Sequence, residues 1–424
     1  MIPLELDEIA ALGVGRLERG EGGSTVTAIT ADSREVEPGQ LFVALNTGVR
    51  HVEHARTRGA STLVPDNQEA ALASLARLVR SKSRARVVAV VGSVGKTTTK
   101  DILGALCAPH VPTIWAERSL NNEIGLPLTV CRLEPETGVL VTEMGMRGLG
   151  QIAALCAVAR PQVVVVSHIG PEHLELLGSV ARVAQANAEA VEALPPGGTA
   201  VVPARSSELE PYLTRDDVEI RRFGPDDVDV RDGRTRFSLD GAVIELELPF
   251  TQRHLAVNAL AALHAYAAVG LPLERAAEGV PHIRLSPWRG EEIPLPRGGF
   301  VVNDAYNANP DSMRAALEHL AARAGERPRR AILGEMAELG ASSLAYHLEI
   351  GELAKALRIE VIGVGELARA YSPQAWAASA DEALALAKER IRPGDAVLVK
   401  ASRSAGLEGI ADGITNFARA WSLS

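Results

Sequence analysis

The chain has 424 residues, 46% hydrophobic and 23% charged, with a formal net charge of −9. At about 150 residues per domain this length suggests three domains, each large enough to bury its own core. The mildly acidic balance argues against a surface that coats nucleic-acid phosphates, and 4% aromatic content leaves little stacking surface.

The amino-terminal stretch MIPLELDEIAALG carries Glu5, Asp7 and Glu8 where a secretion signal would be basic, so a cytoplasmic chain is expected. Short β-like runs follow at 26–29, 41–45 and 61–66, then a helical run at 71–80 and a basic stretch, RSKSRAR (80–86), that reads as a linker. From Arg86 the pattern changes. RVVAVVG is a continuous β-branched run of the kind buried in parallel sheets, and similar runs recur at Val139–Glu143 and 162–167 with helical segments between them. This alternation predicts an α/β fold with a doubly wound parallel sheet. Residues 255–273 are uncharged over 19 positions, about the length of a membrane span, but they are Ala-rich and include Asn258, His264 and Pro272. They read as a buried amphipathic helix, and no membrane insertion is expected. A third block begins near Gly298, where FVVNDAY, RAILGEM, IEVIGVG and DAVLVKA are four strand candidates separated by Ala-rich helical stretches. Domain boundaries of 1–83, 84–294 and 295–424 follow. Cys107, Cys131 and Cys156 form no CxxC pair and are odd in number, so they read as small core residues.

The most specific local signal is Gly92-Ser93-Val94-Gly95-Lys96-Thr97-Thr98, placed directly after a strand and before a helical stretch. Glycines let the backbone curl so that successive N–H groups face one oxyanion, and the helix N-terminus adds its positive dipole end. Lys96 supplies a full charge for phosphates, and the Thr97 hydroxyl is placed to ligate Mg²⁺. ATP and Mg²⁺ are the cofactors this pattern implies, although GxxGKT is shorter than the usual phosphate loop. Glu143 ends a strand and His173 lies in the loop after the next one, so both are reasonable Mg²⁺ ligands at a sheet's carboxyl edge.

Eight segments in order, GSVGKTTTKD, NNEIGLPLTV, TEMGMRGLGQIA, HIGPEHLELLGS, RHLAVNALAA, NDAYNANPDSM, LGEMAELG and VLVKASRS, resemble the Mur ligases and, within them, the MurF branch. The resemblance implies a small N-terminal domain for the UDP end of the substrate, a central P-loop ATPase and a C-terminal Rossmann-like domain. It also implies a two-step reaction. An acceptor carboxylate takes the γ-phosphoryl group of ATP, and an amine then displaces phosphate to form an amide. In the MurF branch the acceptor is a UDP-N-acetylmuramoyl-tripeptide and the amine is D-alanyl-D-alanine. By motif, the resemblance assigns Lys96, Glu143, His173 and Arg289 to the chemistry, with Thr97, Glu143 and His173 on metal. Asn122, His254, Asn258 and Asp304 fall in its nucleotide motifs. Asp32, Ser33 and Arg34 match its first-domain motif. Tyr306, Asn307, Asn309, Lys400, Ser402 and Arg403 match segments lining its cleft. Hinge motion is expected because Arg289 and Asp304 would reach one nucleotide from different domains. A monomer with small-molecule partners only, a carboxylate acceptor and an amine, is expected.

Three departures stand out. The family has a carbamylated lysine fourteen residues after the metal histidine, where this chain has Asn187. The first domain reads Asn46-Thr47-Gly48-Val49-Arg50 in place of an Asp-Gly-His loop, which puts uridine-sugar recognition in question. Gln252 and Leu255 replace Gly and Asn in the nucleotide motif. These leave open a related ligase acting on another acceptor and amine, and a nucleotide-binding subunit without activity.

Overall fold

The computed structural model describes every residue except Gly22, Asp232, Asp240, Leu423 and Ser424. Two compact units emerge. The first holds Met1–His168, Gln185–Thr251 and Leu255–Arg284; the second holds Ile169–Ala184, Gln252–His254 and Leu285–Ser424.

The first unit opens with a four-stranded sheet in the order Gly15–Glu18, Ser61–Pro65, Gln40–Val43, Ala28–Thr30, antiparallel at its first pair and parallel at the other two. Val36, Phe42, Ala44, Ala55 and Ala60 form a small core there. The helix Gln68–Lys82 follows, capped by Asn67, whose side chain accepts from the Ala70 N–H. The basic stretch expected as a linker begins inside this helix, with Arg80, Ser81 and Lys82 in its last turn, and only residues 83–85 connect it to the strand that starts at Arg86. Arg80 is buried, and its guanidinium donates to the carbonyls of Ala159, Ser83 and Arg160, which offsets the cost of burying its charge.

The main sheet of this unit has six strands, all parallel to their neighbours. They lie in the order Glu219–Phe223, Thr199–Pro203, β3 (Val163–Val166), β1 (Arg86–Val91), β2 (Val139–Glu143) and Thr113–Trp115. The chain leaves β1 through helix α1 (Lys96–Cys107), fills one side of the sheet, then crosses to the other side. Strand order therefore reverses at β1, the position where open α/β sheets bind ligands beyond their carboxyl ends. Valines of β1 and β3 are almost completely buried, as strands covered by helices on both faces require. Helix α2 (Val180–Glu192) follows β3. Three antiparallel strands at Val228–Arg231, Arg234–Leu239 and Ala242–Leu246 were not read from the sequence, although Thr235, Phe237 and Leu239 alternate inward. Helix α3 (Arg253–Ala268) contains residues 255–268 of the uncharged stretch, which ends beyond it, and it is covered on most sides and is not amphipathic. Among the described residues no helix is long and apolar enough to cross a membrane. The three cysteines are buried, and burial pushes each thiol up to about 12.

The second unit is built on a six-stranded sheet in the order Glu291–Pro294, β4 (Phe300–Asp304), β6 (Ala396–Lys400), β5 (Arg329–Gly334), Ile359–Val364, Ala375–Ala377. Glu291–Pro294 pairs antiparallel with β4, and the remaining pairs are parallel. The four strand candidates of the third block form its interior. The two edge strands are too short for periodicity to reveal. Apolar clusters cover both faces, one around Met313, Leu317 and Ile350, the other around Val397, Ile410 and Ile414. Helix α4 (Pro310–Ala324) leads from β4 toward β5.

Candidate active site

In the first unit the loop after β1 is held tightly. Gly92 adopts φ +124°, and a Cβ there would lie 2.4 Å from the Ser167 hydroxyl oxygen, so only glycine fits. The Ser93 N–H donates to the His168 carbonyl at 2.7 Å, and the Gly92 N–H donates to Asn187 Oδ1 at 2.7 Å. Gly95, at φ +88°, precedes the first turn of α1, and a Cβ on it would meet Asn258 Oδ1 at 2.5 Å. This close approach accounts for a polar Asn in an apolar helix. The Lys96 ammonium folds back onto the Gly92 carbonyl. Thr97 and Thr98 are buried, and the Thr97 hydroxyl lies 3.1 Å from that of Ser119. Helix N–H groups of the first turn have no intrahelical acceptor, so this end of α1 favours an anion.

Glu143 ends β2 opposite Val90 of β1 and is 1% exposed. Its Oε1 accepts from the Asn121 amide at 2.8 Å, whereas Oε2 is buried with no hydrogen-bond donor. A buried carboxylate oxygen without a donor is costly unless a cation satisfies it. Carboxylate and hydroxyl oxygens, as on Glu143 and Thr97, are the hard donors that suit Mg²⁺. Asn121 was not singled out from sequence. The adjacent Asn122, which was, instead accepts from the Gly125 N–H at 2.9 Å and starts a short helix. Lys100 was also missed. It is fully buried and its ammonium reaches the Ala116 and Arg118 carbonyls at 2.5 and 2.8 Å and Asp101 at 2.8 Å. It thereby ties down the segment leading to Ser119 and Asn121. The repeated Thr-Thr-Thr-Lys after the loop was the available signal.

In the second unit most candidate residues already have partners, some of them other candidates. His173 sits at φ +51°, its Nδ1 against Glu338 and its Nε2 3.7 Å from Glu172. The loop carrying Glu338 is fixed by His347, whose Nε2 accepts from the Met336 N–H at 3.0 Å and whose Nδ1 donates to the Ser343 carbonyl at 2.7 Å. Asp304 and Lys400 end neighbouring strands and pair at 2.6 Å; Lys400, 2% exposed, also reaches the Asn307 carbonyl at 2.9 Å. Ser402 accepts from the Ala337 N–H. Arg403 pairs with Glu408 at 2.9 Å and lies over the Trp288 ring. His254 stands 6.4 Å from His319, and burial lowers its pKa to about 4, so the ring is neutral near pH 7. The Gln252 amide donates to the Gly290 carbonyl, and Leu255 is buried.

Two expectations change. Arg289 belongs to the second unit and stacks 3.8 Å above the Tyr306 ring, so it shares a unit with Asp304, and the stated reason for hinge motion falls away. Asn309 does not present its side chain to a cleft: it caps α4, accepting from the Ser312 N–H at 2.9 Å. Asn307 is exposed. At the amino-terminal end, Asp32 and Arg34 form a local ion pair that holds the Asp32 carboxyl well below its usual range. Ser33 is buried 3.3 Å from His54 Nδ1, a residue not singled out from sequence, and Asn46–His51 forms a 3₁₀ turn.

The Mur ligase middle domain matches residues 90–266, and the Mur ligase glutamate ligase domain matches residues 288–403. This chain belongs to the Mur ligase family, in its MurF branch. The UDP-N-acetylmuramoyl-tripeptide–D-alanyl-D-alanine ligase of Escherichia coli (strain K12) is 33% identical, covering 97% of this chain and 98% of that one. The enzyme of that name from Bacillus subtilis (strain 168) is 30% identical over the same shares. Among solved structures, MurF from Acinetobacter baumannii superposes with a TM-score of 0.86 at 25% identity, covering 98% of this chain and 99% of that one. MurF ligase from Thermotoga maritima in complex with ADP gives 0.82 at 25% identity, covering 93% and 99%. The Mur ligase architecture is thus shown along the chain, which is an ATP-dependent amide ligase.

Proposed function

We propose that this Mur ligase uses ATP and Mg²⁺ to join D-alanyl-D-alanine to a UDP-N-acetylmuramoyl-tripeptide, as a cytoplasmic monomer with domains at 1–83, 84–294 and 295–424, residues 285–294 being grouped by their contacts with the last of these. The observation that supports the chemistry is the Glu143 carboxylate, buried with one oxygen lacking a donor, on the strand beside the phosphate-loop strand. The substrate pair rests on likeness running from end to end of the E. coli ligase.

Transfer of a phosphoryl group to a carboxylate brings two anions together, so catalysis must consist of charge neutralisation and in-line positioning. Lys96 and the first turn of α1 would neutralise the phosphates. Thr97 and Glu143 would hold Mg²⁺, with His173 as the ligand of a second ion; the metal supplies positive charge toward the phosphate oxygens. In the first step a carboxylate oxygen bonds to the γ-phosphorus as the bond to ADP breaks. In the second, the amine nitrogen attacks the acyl carbon, loses a proton and expels phosphate. Gly92, Ser93, Gly95, Thr98, Asn122, His254 and Asn258 are proposed around the nucleotide, with Arg289 toward the γ-phosphate and Asp304 toward the ribose. Asp32, Ser33 and Arg34 are proposed toward the UDP end, and Tyr306, Asn307, Asn309, Lys400 and Arg403 toward the other substrate groups. For Asn309 this role can involve only its backbone or a neighbour, since its side chain caps α4.

Incubating the purified protein with ATP, Mg²⁺, UDP-N-acetylmuramoyl-tripeptide and D-alanyl-D-alanine should release phosphate and yield the condensed product by mass. Inertness with that pair overturns the substrate assignment.

A further inference from the structure

Helix α2 packs an almost wholly apolar face inward: Val183, Ala184, Ala186, Ala188 and Val191 are fully buried. Asn187 lies among them at 1% exposure. A buried amide in such surroundings is destabilising unless its polar atoms are bonded, and an alanine or leucine would serve the packing as well. The carbonyl of Asn187 accepts from the Gly92 N–H at 2.7 Å, across 95 positions of sequence. On the neighbouring residue, the Ser93 N–H is taken up by the His168 carbonyl at 2.7 Å. Ser167 contributes a third brace, its hydroxyl lying 2.9 Å from the Val91 carbonyl and 2.7 Å from that of Val94. The start of the phosphate loop is thus gripped from the end of β3 and from α2, and the Gly92 φ of +124° is maintained by these contacts.

We propose that Asn187 is a positioning residue for nucleotide binding: its buried carbonyl holds the Gly92 N–H inward, so that the loop keeps its phosphate-ready shape without a ligand. This rests on the nucleotide-binding part of the function proposed above and not on the identity of the acceptor or amine. The backbone carbonyl of Gly92 is the acceptor of the Lys96 ammonium, so a loop free to rotate at Gly92 also releases Lys96. Preorganisation of this kind acts on ligand affinity because the ordering cost is met before binding.

The test uses the full-length protein with ADP and Mg²⁺ as probe, read by calorimetry, together with amide hydrogen exchange of the peptide spanning residues 88–95. Asn187→Leu keeps size and removes the acceptor; Asn187→Asp keeps the acceptor. The expected result is that Asn187→Leu weakens ADP binding about tenfold, the scale of one lost buried hydrogen bond, and speeds exchange in 88–95. In Asn187→Asp the slow exchange should return. With ATP varied in the ligase assay, KM should rise more than kcat falls. Unchanged ADP affinity and unchanged exchange in Asn187→Leu overturn the proposal, as does fast exchange in Asn187→Asp. If Asn187→Leu does not fold, Asn187→Ala is read by the same criteria. A parent that binds ADP but is inert with the proposed substrate pair removes that pair and leaves this inference standing.

Discussion

The two units prepare their polar groups in opposite ways. Around the phosphate loop of the first unit, backbone and buried side chains grip the scaffold, and one Glu143 oxygen lacks a donor. In the second unit, His173 is paired with Glu338, Asp304 with Lys400 and Arg403 with Glu408, while Arg289 lies on Tyr306. Under the proposed function, the first arrangement offers a cation the Glu143 oxygen that lacks a donor, whereas Lys96 has to leave the Gly92 carbonyl to meet an anion. In the second, any ligand must compete with a partner already in place, so its groups are stable when alone and exchangeable when a stronger partner arrives.

The largest expected effect tests the first half of this contrast. Lys96→Ala removes the only full positive charge of the loop motif and should lower ADP formation about a thousandfold in a steady-state assay. Unchanged turnover would end the account. Glu143→Gln keeps an acceptor for Asn121 but discards the charge; activity should fall roughly a hundredfold, with Mg²⁺ titration shifted to higher concentration. A variant with normal Mg²⁺ dependence would show that the buried oxygen serves the fold and not a cation.

The paired half is tested through stability. Lys400→Met leaves Asp304 without its cation, and urea unfolding should register a loss of roughly 3 kcal/mol, since breaking one side of a buried pair is expensive. The His254 ring offers a pH test. Its folded pKa of about 4 lies below the ordinary 6.5, so between those values the unfolded chain binds more protons. Its contribution is complete above pH 6.5 and is lost as the pH falls toward 4. His254→Gln should therefore lose less stability than the parent over that range, and parallel curves would refute a buried neutral ring. The smallest effect is assigned to Asn309→Ala, which should cost about 1 kcal/mol as a lost helix cap while leaving KM for all substrates unaltered. A raised KM would give the Asn309 side chain a substrate role beside its capping one.

How much was legible in the sequence differed by element. Continuous β-branched runs such as RVVAVV announce strands buried on both faces, and the loop from Gly92 to Thr98 announces itself because backbone curvature and charge need those residue types at adjacent positions. The three-stranded sheet at 228–246 was missed although its inward alternation is present, because six-residue runs compete with many chance alternations. RSKSRAR read as a linker because charge suggests solvent, yet Arg80 turns inward to the Ala159 and Arg160 carbonyls of a distant segment and to the Ser83 carbonyl at the end of its own helix.

Alone, the amino-acid sequence decided the class of fold, the phosphate loop and the kinship that the comparisons then showed, since each depends on residues near one another in the chain. Tertiary structure alone decided that Asn187 meets Gly92, that Asn121 and not Asn122 holds Glu143, and that Arg289 rests on Tyr306. Those contacts join positions separated by 95, 22 and 17 residues, and side-chain direction at such distances is set by how the elements pack, which no local pattern encodes.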